Sequence, residues 1–291
     1  MTLTNRYADF HLHSNHSDGA DSPSEVVRRA AEWGFSAVAL TDHDTVSGVA
    51  EAQRAAIERC ITLVPGTEIS CEHGGVEVHV LGLGIDITNA PLLDRLAWMQ
   101  QERMARAARI VEKLNALGIP IAMDRVLDRA AGGASVGRLH IAQELFALGK
   151  TKTVQDAFDK YIGARKPAFV PRGRLKIEEA IERIHGAEGI AILAHPGLPA
   201  TRKKVQRLLQ YPFDGIEVYH TKHTPGLCAE YLTLAKANGL LVSGGSDCHG
   251  NAKGLNPEMG KVRLAHHYVD GILARIGNGD LVKSWNSGSH S

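Results

Sequence analysis

The segment from Asp9 to Gly19, Asp-Phe-His-Leu-His-Ser-Asn-His-Ser-Asp-Gly, carries the most informative chemistry in the sequence. Side chains two residues apart on a β-strand point the same way, so His11 and His13 would face one side and could bind one metal ion together. Asp18 follows in a polar loop and is a further candidate ligand. A lone His-x-His is equally compatible with two histidines on a half-exposed strand, so its interpretation depends on the rest of the chain.

Further candidate ligands recur along the chain, inside or directly after six more short apolar runs. They are His43, Glu68, His79, His195, His220, Asp247 and His249. Taken singly, each has an ordinary explanation as a core histidine, a capping carboxylate or a turn residue. In α/β barrels, however, the carboxyl ends of the strands converge on one mouth, where active sites are built. The recurrence therefore predicts that these residues meet in one place.

The chemistry of this set is that of a transition-metal centre. Imidazole and carboxylate ligands without thiolates favour manganese, iron or zinc over calcium or magnesium. About nine ligands are more than one tetrahedral ion takes and are enough for two or three ions.

The elements that must position these residues alternate between strand and helix at both ends of the chain. Ser22-Pro23-Ser24-Glu25 predicts a capped helix start, and the unalternating run Ala37–Leu40 is typical of a parallel strand buried on both faces. Between residues 91 and 176 almost every pattern is helical. We predict an α/β protein in which 1–90 and 177–291 form a discontinuous barrel and 91–176 form a helical insertion covering the active-site mouth.

Composition indicates a globular protein with an ample core. The chain has 291 residues, 44% of them hydrophobic, and a formal net charge of +1, which excludes a chain-wide basic surface for long duplex nucleic acid. No apolar run approaches the roughly 20 residues that cross a membrane, and no secretion signal begins the chain. We therefore expect a cytoplasmic protein without a membrane partner. The four cysteines occur singly, which predicts free thiols.

Five ordered motifs resemble those of the PHP (polymerase and histidinol phosphatase) family of metal-dependent phosphoesterases. They are the His-x-His, Thr-Asp-His-Asp, Gly-Thr-Glu, Ala-His-Pro and Gly-Ser-Asp-x-His sequences. The resemblance covers about 1–90 and 177–260 and implies a distorted (β/α)7 barrel with three divalent ions, manganese first and iron or zinc as alternatives. It implies a first ion on His11, His13, Glu68 and Asp247, a second on Glu68, His79 and His195, and a third on Asp18, His43 and His249.

The inserted helices resemble one branch of that family, through Val-Gly-Arg-Leu-His ending at His140 and Gly-Ala-Arg-Lys-Pro-Ala around Lys166. Members of this branch include bacterial nucleoside 3',5'-bisphosphate phosphatases and 5'-3' exonucleases that act on short RNA. The expected activity is hydrolysis of a phosphate ester of a small nucleotide by a hydroxide that bridges two ions. His220 or His223 is the candidate proton donor.

A basic segment, Lys150 to Lys176, is expected to attract a phosphate-rich substrate because it holds eight Lys or Arg residues against two Asp. The alternative is a solvated helix face. Sharper candidates for phosphate contact are Arg138, His140, Lys166, Arg202 and Lys203, because guanidinium and ammonium groups bind phosphate well and helix starts favour anions.

Other charged residues are assigned supporting roles. Asp42 and Asp44 flank His43 and are predicted to orient histidines rather than to bind metal. The helix from Trp98 to Arg109 is predicted to contribute packing and solvated charge.

Three rival functions fit parts of the pattern. A histidinol-phosphate phosphatase shares the motifs, but its small amine substrate does not require the basic insertion. An amidohydrolase that cleaves C–N bonds shares the His-x-His start, but the Thr-Asp-His-Asp and terminal Asp-x-His sequences argue against it. A non-catalytic PHP module acting as a scaffold would not need the complete ligand set.

Overall fold

The computed structural model describes residues 7–130, 136–171, 173, 175–197, 202–253 and 258–277. A nearly closed, barrel-shaped sheet lies at its centre. The strands are β1 (Tyr7–Leu12), β2 (Ala37–Leu40), β3 (Thr62–His73), β4 (Val76–Leu83), β5 (Leu175–Lys176), β6 (Ile190–Leu193), β7 (Gly215–His220), β8 (Leu241–Gly245) and β9 (Leu264–Ala265).

The barrel wall runs in the order β8-β7-β6-β4-β3-β2-β1. The short strands β9 and β5 pair with β1 and β3. A parallel bridge between Leu12 and Cys248 brings β1 back to the segment after β8 and nearly closes the wall. The distorted barrel expected from the motifs is confirmed.

The distortion arises at β4, which is antiparallel to both of its neighbours, β3 and β6. A two-residue turn, Gly74-Gly75, joins β3 to β4 with φ values of 59° and 77°. Glycine adopts these angles without a steric penalty, as such hairpin turns require. As a consequence, His79 lies in the middle of β4, opposite Ser70, instead of at the carboxyl end of a parallel strand.

One long strand replaces two that the sequence predicts, Ile61–Val64 and Ile69–Glu72. Residues 62–65 of β3 pair with β2, and residues 66–73 pair with β4. Pro65 lacks an N–H donor, which normally excludes proline from the interior of a sheet. It is tolerated because it lies where β3 changes partners, and its carbonyl accepts a bond from Gly84.

Ten α-helices of the described residues lie outside the sheet. They are α1 (Pro23–Glu32), α2 (Val49–Glu58), α3 (Ala90–Ala116), α4 (Met123–Arg129), α5 (Arg138–Ala147), α6 (Val154–Ala157), α7 (Ile177–Gly186), α8 (Arg202–Leu208), α9 (Pro225–Asn238) and α10 (His266–Ile276). The caps at Ser22, Asn89 and Thr224 each accept a backbone bond, with a proline in the following turn. Among the described helices, none combines the length and apolarity of a bilayer-crossing segment.

Helices α3 to α6 and a π-helical turn, Phe158–Ile162, form a block that we name the helical block. Its apolar cluster, which includes Ile110 and Ile141, is distinct from those of the barrel. The first part of α3 nevertheless contributes Leu92 and Met99 to a barrel cluster. The division into a barrel and an insertion at residues 91–176 stays a proposal, with α3 shared between the two.

Candidate metal centre

The predicted ligand residues lie together at one mouth of the barrel, facing the helical block. Three groups each place one possible ligand atom per residue within 4.8 Å of one another. The groups are His11, His13, Glu68 and Asp247; His13, Asp18, His43 and His249; and His43, Glu68 and His79. His195 adjoins the third group through Glu68.

Glu68 is the central carboxylate of the site, and its side chain is buried. Its Oε2 lies 3.3 Å from Nε2 of both His11 and His13, and 3.0 Å from Nδ1 of His43. Its Oε1 lies 2.7 Å from Nδ1 of His79 and 3.0 Å from Nε2 of His195. The two oxygens therefore face different histidines, which is the arrangement that a carboxylate bridging two ions requires.

Two further carboxylates complete the cluster. Asp247 Oδ1 lies 3.1 Å from His13 Nε2 and 3.6 Å from His11 Nε2. Asp18 Oδ1 lies 3.0 Å from His249 Nε2 and 3.9 Å from His43 Nε2. Asp18 thus joins histidines from two different loops, whereas Asp247 contacts both histidines of the His-x-His sequence.

The donor atoms fit bound cations better than a hydrogen-bond network. Within the described residues, His11 Nε2, His13 Nε2, His43 Nδ1 and Glu68 Oε2 are buried and form no hydrogen bond. Buried polar atoms are normally satisfied, and bound ions would satisfy these. A set of imidazoles and carboxylates without thiolates suits manganese, iron or zinc.

The site residues perturb one another's pKa values in the absence of ions. Burial opposes the charged form of His13, but Asp247 and Glu68 outweigh it and raise the pKa to about 9. Glu68 likewise outweighs burial at His79 and raises that pKa to about 10. At His43 burial dominates and lowers the pKa to about 4. Ligation requires neutral imidazoles, so ion binding must displace protons from His13 and His79.

Three residues of the site have left-handed backbone conformations. Asp44, His195 and Asp247 have φ values of 55°, 27° and 53°. Such conformations cost about 1–3 kcal/mol each in non-glycine residues and cluster at functional sites. Hydrogen bonds hold all three, from His195 N to Glu217 Oε2 (2.6 Å), Asp247 N to His11 O (2.9 Å) and Asp44 N to Glu68 O (3.0 Å).

Two carboxylates that lie behind the cluster were not predicted from the sequence patterns. Glu217 of β7 is fully buried and contacts His11 Nδ1 at 3.0 Å. Asp9 of β1 is also fully buried and accepts bonds from the backbone of His11 and Ser246. Burial raises the Asp9 pKa to about 6. Both acids interrupt otherwise apolar strand sequences. This interruption is the sequence signal from which the two residues could have been identified.

The aspartates beside His43 shape loops. Asp42 accepts bonds from Ser14 N (2.7 Å), Ser14 Oγ (2.6 Å) and Ser17 Oγ (2.6 Å), so it orients the loop after His13 and not a histidine ring as predicted. Asp44 is buried, accepts a bond from Ser70 N and forms an ion pair with Arg103 at 2.5 Å. The Asp44 contacts attach α3 to the loop after β2, which carries His43.

A cavity of about 530 Å³ lies between the candidate ligands and the helical block. Asp18, His43 and His79 line one side. The other side is lined by Arg103 and Arg106 of α3, Arg138 of α5, and apolar residues that include Ala107, Ile110, Ile141 and Phe158.

The helix around Trp98 packs as predicted, since Met99 and Ala107 are buried, but the prediction that its charges are solvated is wrong for two arginines. Arg103 and Arg106 are largely buried and line the cavity. Three residues of α3, Gln100, Arg103 and Ala107, are spaced three and four residues apart and therefore lie on one helix face. Gln100 donates a hydrogen bond to the Asp44 carbonyl. That spacing was the sequence signal for this face.

The predicted substrate residues differ in their placement. Arg138 lines the cavity, and its guanidinium lies 5.7 Å from the centre of the Phe158 ring. His140 is buried, accepts a bond from Gly137 N at 3.1 Å, and has a pKa lowered by burial. Lys166 and Lys203 are exposed, and neither is among the described residues that line the cavity. The side chain of Arg202 lies outside the described residues.

The two candidate proton donors make different bonds. His220 is buried, its Nδ1 accepts from Lys222 N at 3.1 Å, and its Nε2 lies 3.6 Å from Asp247 Oδ2. His223 Nδ1 donates to the Val218 carbonyl, and its Nε2 accepts from Gly197 N. His223 therefore has no proton on Nε2 in this arrangement. Proton donation stays a prediction for both residues, and the bonding favours His220.

Comparisons with known proteins agree with the motifs. The PHP domain family model matches residues 9–120. The 5'-3' exoribonuclease Rnm of Salmonella typhimurium is 38% identical, over 83% of this chain and 84% of its own. The 3',5'-nucleoside bisphosphate phosphatase of Chromobacterium violaceum is 36% identical, over 84% of this chain and 88% of its own.

A solved structure agrees as well. The crystal structure of a Bifidobacterium adolescentis protein described as a metal-dependent phosphoesterase matches with a TM-score of 0.84 and 33% identity, over 93% of this chain and 96% of that one. Sequence similarity, fold and candidate ligand clusters thus agree. The chain belongs to the PHP family of metal-dependent phosphoesterases.

Proposed function

We propose that this protein hydrolyses a phosphate ester of a small nucleotide, either a nucleoside 3',5'-bisphosphate or the 5' end of short RNA. The observation that carries the proposal is the cavity, which joins the histidine and carboxylate cluster to a wall of arginines and apolar side chains. The names of the exoribonuclease and bisphosphate phosphatase relatives support the same substrate class.

The candidate clusters support a centre of three divalent ions, with manganese as the first candidate and iron or zinc as alternatives. The proposed ligands of the first ion are His11, His13, Glu68 and Asp247. Those of the second are Glu68, His79 and His195, and those of the third are Asp18, His43 and His249.

When bound, such ions acidify water and neutralise phosphate oxygens. The protein itself supplies orientation and charge. Arg138 lines the cavity, where its guanidinium can bind phosphate oxygens by paired bonds, whereas Arg103 uses Nε and Nη2 to hold Asp44 and adds positive charge to the cavity wall. His220 Nε2 carries the proton that its Nδ1 bond assigns to it, and it lies beside Asp247. It is the proposed source of the leaving-group proton.

The far wall of the cavity supports a nucleotide rather than a simple phosphate ester. Ile110, Ile141 and Phe158 supply an apolar surface that a base could contact, and Arg138 lies 5.7 Å from the Phe158 ring and 3.8 Å from Glu77 of β4. The cavity volume of about 530 Å³ is within the usual range for small-ligand sites. Histidinol phosphate has no large base to cover this wall.

The experiment is a phosphate-release and product assay with added Mn²⁺ on three substrates: a nucleoside 3',5'-bisphosphate, a 5'-phosphorylated short RNA and histidinol phosphate. We expect turnover of one or both nucleotide substrates, little of histidinol phosphate, and loss of turnover in a folded His13→Ala variant. Preference for histidinol phosphate, or undiminished turnover in that variant, would contradict the proposal. Purified protein that neither contains nor takes up metal would indicate the scaffold alternative.

The cytoplasmic location and the absence of membrane or long-duplex partners stay predictions from the sequence.

A further inference from the structure

Glu217 is a carboxylate behind the candidate ligands, and its two oxygens contact residues proposed for two different ions. It lies in β7 with its side chain fully buried. Its Oε1 lies 3.0 Å from His11 Nδ1, and its Oε2 accepts a bond of 2.6 Å from the backbone N–H of His195. It belongs to none of the three ligand groups, because it lies behind His11.

The first contact determines which nitrogen of His11 can bind a cation. A carboxylate only accepts hydrogen bonds, so it holds the proton on Nδ1. Nε2, which lies 3.3 Å from Glu68 and 3.6 Å from Asp247, then presents its lone pair to the cluster. A histidine ligand whose other nitrogen donates to a carboxylate is fixed in tautomer and orientation and is a stronger base.

The second contact holds a ligand through its backbone. His195 has a φ of 27°, a conformation that a non-glycine residue adopts only when its surroundings enforce it. The 2.6 Å bond from its N–H to Glu217 is such a restraint, and it directs the ring so that Nε2 lies 3.0 Å from Glu68. The same carboxylate thus restrains two histidines that contact different oxygens of Glu68.

We propose that Glu217 is a positioning residue that sets the affinity of two ion sites at once, by fixing the His11 tautomer and by restraining the His195 backbone. This proposal depends on the metal centre proposed above, but not on the identity of the substrate.

Glu217→Gln is the direct test. An amide has one accepting oxygen, so in either orientation its NH₂ group faces the His11 Nδ1 proton or the His195 N–H. One of the two restraints must therefore be lost, although size and shape are kept. Metal-free protein would be titrated with Mn²⁺, and bound and free Mn²⁺ would be measured by electron paramagnetic resonance.

Asp214→Asn is the matched control. Asp214 directly precedes β7, is largely buried, and accepts a backbone bond from Ala191 of β6 at 2.9 Å, but it lies at the opposite end of the barrel from the centre. The Asp214→Asn variant therefore also loses a largely buried carboxylate that joins β6 and β7. Thermal unfolding of each metal-free variant measures the general cost to stability.

We expect Glu217→Gln to weaken Mn²⁺ binding by about 10- to 100-fold, the range typical of lost outer carboxylates, and Asp214→Asn to leave it within about twofold of wild type. Unchanged binding in Glu217→Gln, or equal weakening in both variants, would overturn the proposal. Failure of the wild-type protein to bind Mn²⁺ would instead refute the metal centre itself. Normal turnover and Mn²⁺ binding in Glu217→Gln would refute only the positioning role.

If Glu217→Gln does not fold, the tautomer can be read in the wild-type protein. Nitrogen-15 spectra of the histidine rings, recorded with Zn²⁺ bound and assigned by comparison with a His11→Asn variant, should show a proton on His11 Nδ1. A proton on His11 Nε2 would overturn the proposal.

Discussion

At the scale of single residues, the candidate metal centre is arranged around one buried carboxylate surrounded by imidazoles. Glu68 lies within 3.3 Å of nitrogens from His11, His13, His43, His79 and His195. Although burial opposes ionisation, the surrounding histidines hold the pKa of Glu68 well below its usual range. Glu68 therefore stays negatively charged at the position where several cations would bind close together.

Glu68→Gln should remove this charge with little change in volume. We expect Mn²⁺ stoichiometry to fall and turnover to drop by at least about 100-fold, because a shared ligand and its negative charge are lost together. Glu72→Gln is the control, since Glu72 is exposed four residues further along β3. Equal activity of the two variants, measured together with metal content, would exclude a bridging role for Glu68.

The metal-free protein should lose stability as the pH rises. The pKa values of about 9 for His13 and about 10 for His79 are raised above the unfolded value near 6.5. Their contribution is present below pH 6.5 and is lost as the pH rises through the folded values. Tm should therefore be lower at pH 10 than at pH 6.5 by at least about 2–4 °C, the shift expected when the free energy of unfolding falls by about 1 kcal/mol in a chain of this size.

The lowered pKa of His43 acts below pH 6.5 and does not affect this window. A His79→Asn variant is the control and should show a smaller fall. A Tm that stays level or rises between pH 6.5 and 10 would show that these protons do not stabilise the metal-free fold.

At the scale of elements, two close approaches form the site. Strands β1 and β8 meet where Gly245 faces His11, and α3 reaches the barrel through the ion pair between Arg103 and Asp44. Both contacts depend on residue size and charge at single positions. Substitutions there should therefore affect the centre more than their own elements.

Gly245→Ala should destabilise the protein and weaken metal binding. Its Cβ would overlap the His11 side chain and lie 2.5 Å from the His11 backbone nitrogen, which cannot move without displacing a ligand. We expect a loss of about 1–3 kcal/mol in chemical denaturation, as for other overpacked sites.

Gly271→Ala is the control, because its Cβ would meet Leu241 at an ordinary 3.6 Å within α10. It should be neutral or stabilise by about 0.5–1 kcal/mol. Similar unfolding curves for the two alanine variants would contradict the close approach of β1 and β8.

The helical block should contribute substrate affinity through α5. Arg138→Ala should raise KM about tenfold or more, because a hydrogen bond to a charged group is worth about 1.5–3 kcal/mol, while Mn²⁺ content stays unchanged. Arg125→Ala is the control, since that side chain is 67% exposed. Steady-state kinetics with an unaltered KM for Arg138→Ala would show that the arginine does not contact substrate.

At the scale of the whole molecule, the centre connects distant parts of the chain. Its residues follow or lie within β1, β2, β3, β4, β6 and β8, and Glu217 adds β7. Ions at this position would therefore crosslink the barrel wall. Within the described residues, several buried ligand atoms of this cluster form no hydrogen bond without an ion.

Chelation should lower the stability of the entire barrel rather than of one loop. A ligand that binds only the folded state stabilises it by about 2.7 kcal/mol when present at 100 times its Kd. We expect excess chelator to lower Tm by several degrees in one cooperative transition, and Mn²⁺ to restore it. In the His13→Ala variant the chelator effect should shrink, and an equal effect in both proteins would locate the stabilising ions elsewhere.

Much of the fold and of the site was readable from the sequence. Sequence patterns predict strands at Tyr7–Leu12 and Ile190–Leu193 and a helix at Ile177–Gly186, which are the bounds of β1, β6 and α7. They succeed because apolar runs, caps and glycines act over a few neighbouring residues. The nine predicted ligand residues are brought to one mouth, because each follows or interrupts a strand. Local pattern was sufficient wherever a residue's role depended on its own strand.

Other features depend on contacts between segments that are distant in sequence. The hairpin between β3 and β4 was predictable from Gly74-Gly75, but the antiparallel pairing of β4 with β6 was not, and the strand break expected at Pro65 is absent because β3 changes partners there. Arg103 and Glu217 were missed because their partners lie 59 and 206 residues away. The sequence alone determined which groups are candidate metal ligands and in what order the elements occur. Only the tertiary structure decided which groups orient those ligands and form the cavity, because both depend on side-chain contacts that exist only after the strands have paired.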